Sequence, residues 1–263
     1  MDVPRRVAFG PPVCDGSPMS VAGLGKLATA VSILGLVACS GGTTGSSSSG
    51  DSGTGFVVAG TVGDSLTEAP LAGVSLCVLP SSSTSTCTTS CTTSSLYGVF
   101  TLTGLAATGS GFSASLANYV TENWAVTPVS TSSWMIDLRS TSDVTTLAQQ
   151  AAATFDGTTG AITFEVDGPD NGGLGGATIA TSVVGKIAYF DTSGTLDPSL
   201  TATVGGDGFV FQLPPGTLDV TGTASGLTCV SQGQEGWPPL ASGATTSAPI
   251  VAGQLTRVHL VCH

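Results

Sequence analysis

Only two histidines, His259 and His263, are available in this 263-residue chain for proton transfer near neutral pH. His259 alternates with Arg257 in Arg257-Val258-His259-Leu260, a spacing that predicts both on the solvent face of a last β-strand. It therefore reads as a surface histidine rather than a general base. The chain contains no Gly-x-Ser-x-Gly, no His-Glu-x-x-His and no glycine-rich phosphate loop, so the usual nucleophile, zinc-hydrolase and nucleotide signatures are missing. Two carboxylates, Asp167 and Asp170, share the turn Asp167-Gly168-Pro169-Asp170-Asn171-Gly172. That turn could attract calcium, but it lacks the ligand spacing and the distal Glu of an EF-hand loop, and an Asx-rich hairpin turn is expected. These residues predict no enzyme, no cofactor and no metal centre. Trp237, in Gln234-Glu235-Gly236-Trp237-Pro238-Pro239, leaves one binding chemistry open, because an indole exposed on such a loop can stack on a sugar ring. The competing expectation is that Trp237, like Trp124 and Trp134, covers the end of a β-domain or a seam between two.

The elements that carry these residues follow an amino-terminal segment of different character. Lys26 precedes an apolar run from Leu27 to Val37, too short to span a bilayer, that ends in Leu36-Val37-Ala38-Cys39 and opens into Ser40-Gly41-Gly42. The junction resembles a bacterial lipobox. That resemblance implies a lipoprotein signal peptide over residues 1–38, cleavage before Cys39 and acylation of Cys39, with Ser40 after it favouring the outer membrane. Translation starting at Met19, or a long basic leader containing Arg5 and Arg6, both fit. Two or three acyl chains anchor a protein stably where one does not. Residues 40–55 are all Ser, Gly, Thr or Asp, a tether with an average reach of about 20–24 Å from random-coil scaling.

Past Cys39 only three basic residues remain, Arg139, Lys186 and Arg257, against fifteen acidic ones. Such a balance repels phosphate backbones and anionic lipid headgroups, so nucleic-acid partners are excluded. Only 9% of the chain is charged, and Gly, Ser and Thr abound. That suits solvent-facing strands and turns.

Alternation begins at Phe56. Val58, Gly60 and Val62 share one face; Val74, Leu76 and Val78 alternate after a turn; and Phe100 and Leu102 point together in Tyr97-Gly98-Val99-Phe100-Thr101-Leu102-Thr103-Gly104-Leu105. The order recurs with Ile162, Phe164 and Val166, then Leu174-Gly175-Gly176-Ala177, then Gly208-Phe209-Val210-Phe211. Leu71 and Gly73 match Leu174 and Gly176, and Phe100 matches Phe209, which predicts a divergent internal duplication. Between the copies Val144, Leu147, Ala148 and Ala151 change to helical spacing behind Ser142 and Asp143 as N-cap residues, so residues 140–155 are expected to be a linker or short helix. Cys229 follows the face of Leu227, and Cys262 that of Val258 and Leu260, so these two cysteines are expected to pair across the second core.

The Gly-x-Val strand, Pro70-Leu71-Ala72-Gly73-Val74 and Gly98-Val99-Phe100-Thr101-Leu102-Thr103-Gly104-Leu105 together resemble the carboxypeptidase regulatory-like domain, over about Phe56 to Val129 and more loosely Gly160 to Cys262. The second copy also keeps the family's Pro-x-Gly as Pro214-Pro215-Gly216. This resemblance implies an all-β chain of two tandem transthyretin-like antiparallel sandwiches, residues 56–139 and 156–263. In metallocarboxypeptidases the domain is a non-catalytic appendage, and the zinc ligands of the enzyme are absent here. The family spacing also favours a Cys77–Cys91 bridge that leaves Cys87 unpaired, with Cys77–Cys87 as an alternative. A zinc site from Cys77, Cys87 and Cys91 would lack a fourth ligand. The sequence thus predicts an outer-membrane-anchored cell-envelope lipoprotein, membrane-bound through its lipid, acting as a structural or interaction module on an envelope protein or polysaccharide. The alternative is a carbohydrate-binding lipoprotein using Trp237.

Overall fold

The computed structural model describes residues 56–79, 90–106, 109–127, 133–231, 237 and 245–263. The export signal, Cys39, the tether, Cys87 and the residues on either side of Trp237 lie outside these. The described chain is mostly β, with one short helix and several sheets.

Its first half runs β1 (Phe56–Asp64), β2 (Ser75–Val78), β3 (Cys91–Thr93), β4 (Val99–Leu105), β5 (Ser110–Ser115), β6 (Glu122–Val126) and β7 (Trp134–Leu138). After α1 (Thr141–Gln150) come β8 (Gly160–Asp167), β9 (Thr178–Thr181), β10 (Lys186–Phe190), β11 (Leu196–Asp197), β12 (Asp207–Leu213), β13 (Gly216–Thr223), β14 (Cys229–Ser231), β15 (Thr245–Ile250) and β16 (Leu255–Cys262).

In the first half a sheet ordered β4-β1-β7 faces the strands β3-β2-β5-β6. Period-two burial puts Val58, Val62, Phe100, Leu102 and Ile136 from one layer against Leu76, Phe112, Trp124 and Val126 from the other. The second half repeats the plan, with β12-β8-β16 facing β15-β13-β9 around Ile162, Phe164, Val166, Val210, Val220 and Leu260. In both halves the closing strand lies parallel to the opening one, β7 beside β1 and β16 beside β8.

The turns carry the duplication most clearly. Ser94 Oγ accepts from Val74 N at 2.9 Å and donates to Leu71 O at 2.7 Å, while Thr203 Oγ1 accepts from Ala177 N at 3.0 Å and donates to Leu174 O at 2.5 Å. Gly73 and Gly176 sit in these two turns at φ 75° and 81°, a left-handed conformation that favours glycine. The registers correct the expected Phe100 and Phe209 match by one residue. Gly60 pairs with Phe100 and Phe164 pairs with Gly208, so the large and small partners have changed places between the halves. A Cβ on Gly208 would lie 2.4 Å from the Phe164 ring.

The two sandwiches share a sheet. β16 is inserted between β8 and β6, parallel to both, so one continuous sheet runs β11-β10-β12-β8-β16-β6-β5-β2-β3, with β14 also paired to β16. All five residues of β6 are therefore buried, Trp124 and Val126 in the first core and Ala125 in the second.

Helix α1 starts two to three residues earlier than Ser142 and Asp143 suggest. Ser140 is the N-cap, its Oγ accepting from Asp143 N at 3.2 Å. The Thr145 and Thr146 hydroxyls donate to the carbonyls of Thr141 and Ser142, which lets two β-branched residues sit on the outer face. Val144 and Ala148 face inward and cover Ala161, Ala188, Phe209, Phe211 and Leu255 on the shared sheet. Among the described residues two disulfides form, Cys77–Cys91 between β2 and β3 and Cys229–Cys262 between β14 and β16. Both join residues paired on neighbouring strands, so Cys229 and Cys262 meet beside each other rather than across the core. Bridges of this kind fit an extracytoplasmic location.

Candidate functional site

Charged side chains concentrate on one face of the shared sheet, where strand register sets their neighbours. Glu165 on β8 lies directly opposite Asp207 on β12 and His259 on β16, and Asp167 follows two residues along β8 on the same face. Arg257 precedes His259 by two on β16, and Arg139 enters from the end of β7. Their placement has a simple local cause. The opposite face of these strands carries Phe164, Val166, Val258 and Leu260 into the second core, so alternation sends Glu165, Asp167, Arg257 and His259 the other way.

Two arginine–carboxylate pairs and an imidazole–carboxylate contact organise the face. Arg257 donates to Glu165 Oε2 at 2.5 Å, His259 Nε2 lies 3.0 Å from Asp167 Oδ2, and Arg139 donates to Glu122 Oε1 at 3.3 Å. Glu122 is fully buried and accepts from the Arg139 backbone N as well, at 3.1 Å. Burial nevertheless raises its carboxyl above the usual range, with Arg139 opposing, and Glu122 Oε2 has no hydrogen-bond partner. Both guanidiniums also stack, Arg257 over Trp124 at 4.7 Å and Arg139 over Phe209 at 5.3 Å.

Between these groups is a cavity of about 210 Å³ lined by Arg139, Thr163, Glu165, Phe190, Asp207 and Arg257. Asp207 keeps one edge in solvent, yet partial burial and then the charge of Glu165 push its carboxyl up to about 6. Asp137, at the end of β7, is raised too, by burial, against the pull of Arg257 and Arg139. Five carboxylates, Glu122, Asp137, Glu165, Asp167 and Asp207, thus gather about two guanidiniums and one imidazole. Glu165, Asp167 and His259 bring ligand atoms within 4.8 Å of one another, a set able to hold a metal ion.

This face differs from the one expected at several residues. His259 is not a surface histidine: it is only 8% exposed, because β16 is an interior strand with β8 on one side and β6 on the other. Asp167 is buried beside it, separated from Asp170, which stays on the turn. The turn itself is a hairpin, with Gly168 N donating to Gly172 O at 2.8 Å and Asn171 at φ 56°. Trp237 is no sugar platform. Its indole is 4% exposed, donates from Nε1 to Arg257 O at 2.8 Å, and packs over Gly111, where a Cβ would come within 2.7 Å of the ring. Trp124 is buried, and Trp134 packs edge-on against Phe112 with centroids 6.4 Å apart. The carboxylates of β8 were readable as an alternating pattern, but nothing local marked His259 as their neighbour.

No protein-family model matches the chain, and no curated protein does. Among solved structures the chain is similar to the shaft pilin SpaA from Lactobacillus rhamnosus GG, at 12% identity over 80% of this chain and 98% of that one, with a TM-score of 0.25. It is similar also to GBS52, the minor pilin of Streptococcus agalactiae, at 13% identity, 78% and 95% coverage and a TM-score of 0.27. The Bacillus anthracis TIE protein matches at 13% identity with a TM-score of 0.25, and the chain spans 34% of its length. Likeness at this level carries no argument about function, which rests on the residues themselves.

Proposed function

We propose that the protein is an exported cell-envelope module, held to the outer membrane by lipid on Cys39, that does structural or interaction work and no chemistry of its own. The observation that carries this reading is the insertion of β16 between β8 and β6, which makes one continuous sheet of two sandwiches. A body built that way presents its surfaces in a fixed relation, as a spacer or docking module must. The resemblance to carboxypeptidase regulatory-like domains, non-catalytic appendages, supports the same role, and the disulfides support export. Val57, Leu66, Leu96, Tyr97, Val99 and Met135 are exposed apolar side chains of the first half, which favours an envelope protein over a polysaccharide as partner.

Anchoring is tested by fractionating cells that express the wild type or Cys39→Ala and weighing the intact product. The wild type should sit in the membrane fraction carrying the mass of two or three acyl chains, and Cys39→Ala should lose both the added mass and the membrane association. Unchanged mass and fractionation in the variant would discard the anchor. In-cell cross-linking with mass spectrometry then tests the interaction role: one envelope protein recovered at near-equal yield supports it, and the absence of any specific partner removes it in favour of a passive spacer.

A further inference from the structure

We propose that Glu165, Asp167 and His259 form a binding site for one divalent first-row metal ion, best matched by Zn²⁺, that straps β16 to β8. The site is separate from the anchoring and interaction roles above and depends on neither.

Donor chemistry comes first. One imidazole and two carboxylates form a mixed nitrogen and oxygen set suited to Zn²⁺, Mn²⁺ or Co²⁺, whereas Ca²⁺ and Mg²⁺ take oxygen ligands alone. The geometry agrees. Around a tetrahedral Zn²⁺ with bonds of about 2.0–2.2 Å, ligand atoms stand about 3.3–3.6 Å apart. His259 Nε2 and Asp167 Oδ2 are 3.0 Å apart, and all three ligand atoms fall within 4.8 Å of one another. Side-chain movements of up to about an ångström, within reach of a Glu165 rotation, close the set around the ion. The backbone beneath it is rigid, because Glu165 and His259 are a register pair on interior strands and Asp167 is the next residue on that face.

Burial and charge point the same way. Asp167 is 7% and His259 8% exposed, so two of the three ligands are already largely stripped of water. The carboxylates of this face outnumber its guanidiniums, an imbalance that a dication reduces. Arg257 contacts one of the three ligands. Its hydrogen bond to Glu165 Oε2 fixes that carboxylate beside His259, the orienting role that outer hydrogen bonds take around bound metals.

The first half provides an internal control. The positions equivalent to Glu165, Asp167 and His259 are Thr61, Gly63 and Met135, as the pairings of β1 with β7 and of β8 with β16 show. The same sheet is built there without any of the three donors, so their presence in the second half is not a requirement of the fold.

The test titrates purified full-length protein, stripped with EDTA, with Zn²⁺ by calorimetry and measures bound metal after dialysis. The expected result is one equivalent per chain at micromolar affinity or tighter, with a rise in Tm. His259→Gln and Asp167→Asn, near in shape to the originals, should weaken binding at least tenfold while near-UV circular dichroism stays that of the wild type. Substoichiometric uptake, or uptake that both variants leave unchanged, would place the ions elsewhere on an acidic surface and overturn the site. Should a variant fail to fold, Co²⁺ loaded into the wild type decides: visible bands distinct from those of aqueous Co²⁺ support mixed nitrogen and oxygen ligation, and the aqueous spectrum overturns it.

Discussion

Val99, Thr61 and Met135 form a row across β4, β1 and β7, and Asp207, Glu165 and His259 form the corresponding row across β12, β8 and β16. In the first half the row is uncharged and open, with Val99 51% and Met135 71% exposed. In the second it is charged and runs from the exposed Asp207 through the half-buried Glu165, paired to Arg257, to the buried His259, paired to Asp167. Neighbours account for the difference. Among the described residues the outer side of β4-β1-β7 leaves Val99 and Met135 exposed, whereas β12-β8-β16 is extended by β6 and overlaid by α1 and Arg139. The two halves thus share one framework, and tertiary context decides whether its second face is surface or interior.

The sharpest way to break this comparison is to unbalance the covered face. Arg139→Met leaves Glu122 buried without its cation and should destabilise the fold by about 3–5 kcal/mol, read by urea unfolding, with much of the loss recovered in Arg139→Met/Glu122→Gln. A loss below 1 kcal/mol would show that water reaches Glu122. Removing the staple beside that face, Cys229→Ser/Cys262→Ser, opens a loop of 33 residues and should cost about 3–4 kcal/mol. The exchanged Phe and Gly positions come next. Gly208→Ala brings a Cβ within 2.5 Å of Ala188 O as well as onto the Phe164 ring, and should cost about 1–3 kcal/mol in the same assay.

Asp207 gives a smaller effect with a definite sign. Its carboxyl rises from 3.8 to about 6 on folding, so the folded state holds the proton more tightly and stability falls as pH increases through that window. Asp207→Asn should flatten this slope and stabilise the protein at pH 7; an unaltered pH profile would show that Asp207 ionises freely. The smallest effect is expected on the open row. Val99→Asp and Met135→His, which copy the charged residues onto it, should each change stability by no more than about 0.5 kcal/mol.

Local pattern made part of this structure legible. Val58, Val62, Phe100 and Leu102 alternate because one face is core, and Gly73 and Gly176 recur because the turn before β2 and β9 needs a positive φ. Both signals lie within a few residues of the structure they produce. The match of Phe100 with Phe209 slipped by one because the bulky member of a cross-strand pair had moved to the facing strand, where composition alone suggests the wrong register. His259 was unreadable for a larger reason. Alternation assigns it to the face opposite Val258 and Leu260, but whether that face meets water depends on β6, whose Glu122 pairs with Leu255 from the far end of the chain. Trp237 likewise finds a hydrogen-bond acceptor, Arg257 O, on β16, twenty residues away.

The position of β16 also orders the events of folding. Every other strand of the shared sheet precedes it in the chain, yet β8 cannot join β6 until it arrives. A chain that emerges amino terminus first can close the layers of its first sandwich early, with β6 a bare edge. Residues 255–262 then complete the second sandwich, join the halves, and bring His259 to Asp167 and Cys262 to Cys229 in one step. Contacts so distant in sequence form slowly, so the interval before that step is when an unpaired β6 is open to a foreign strand.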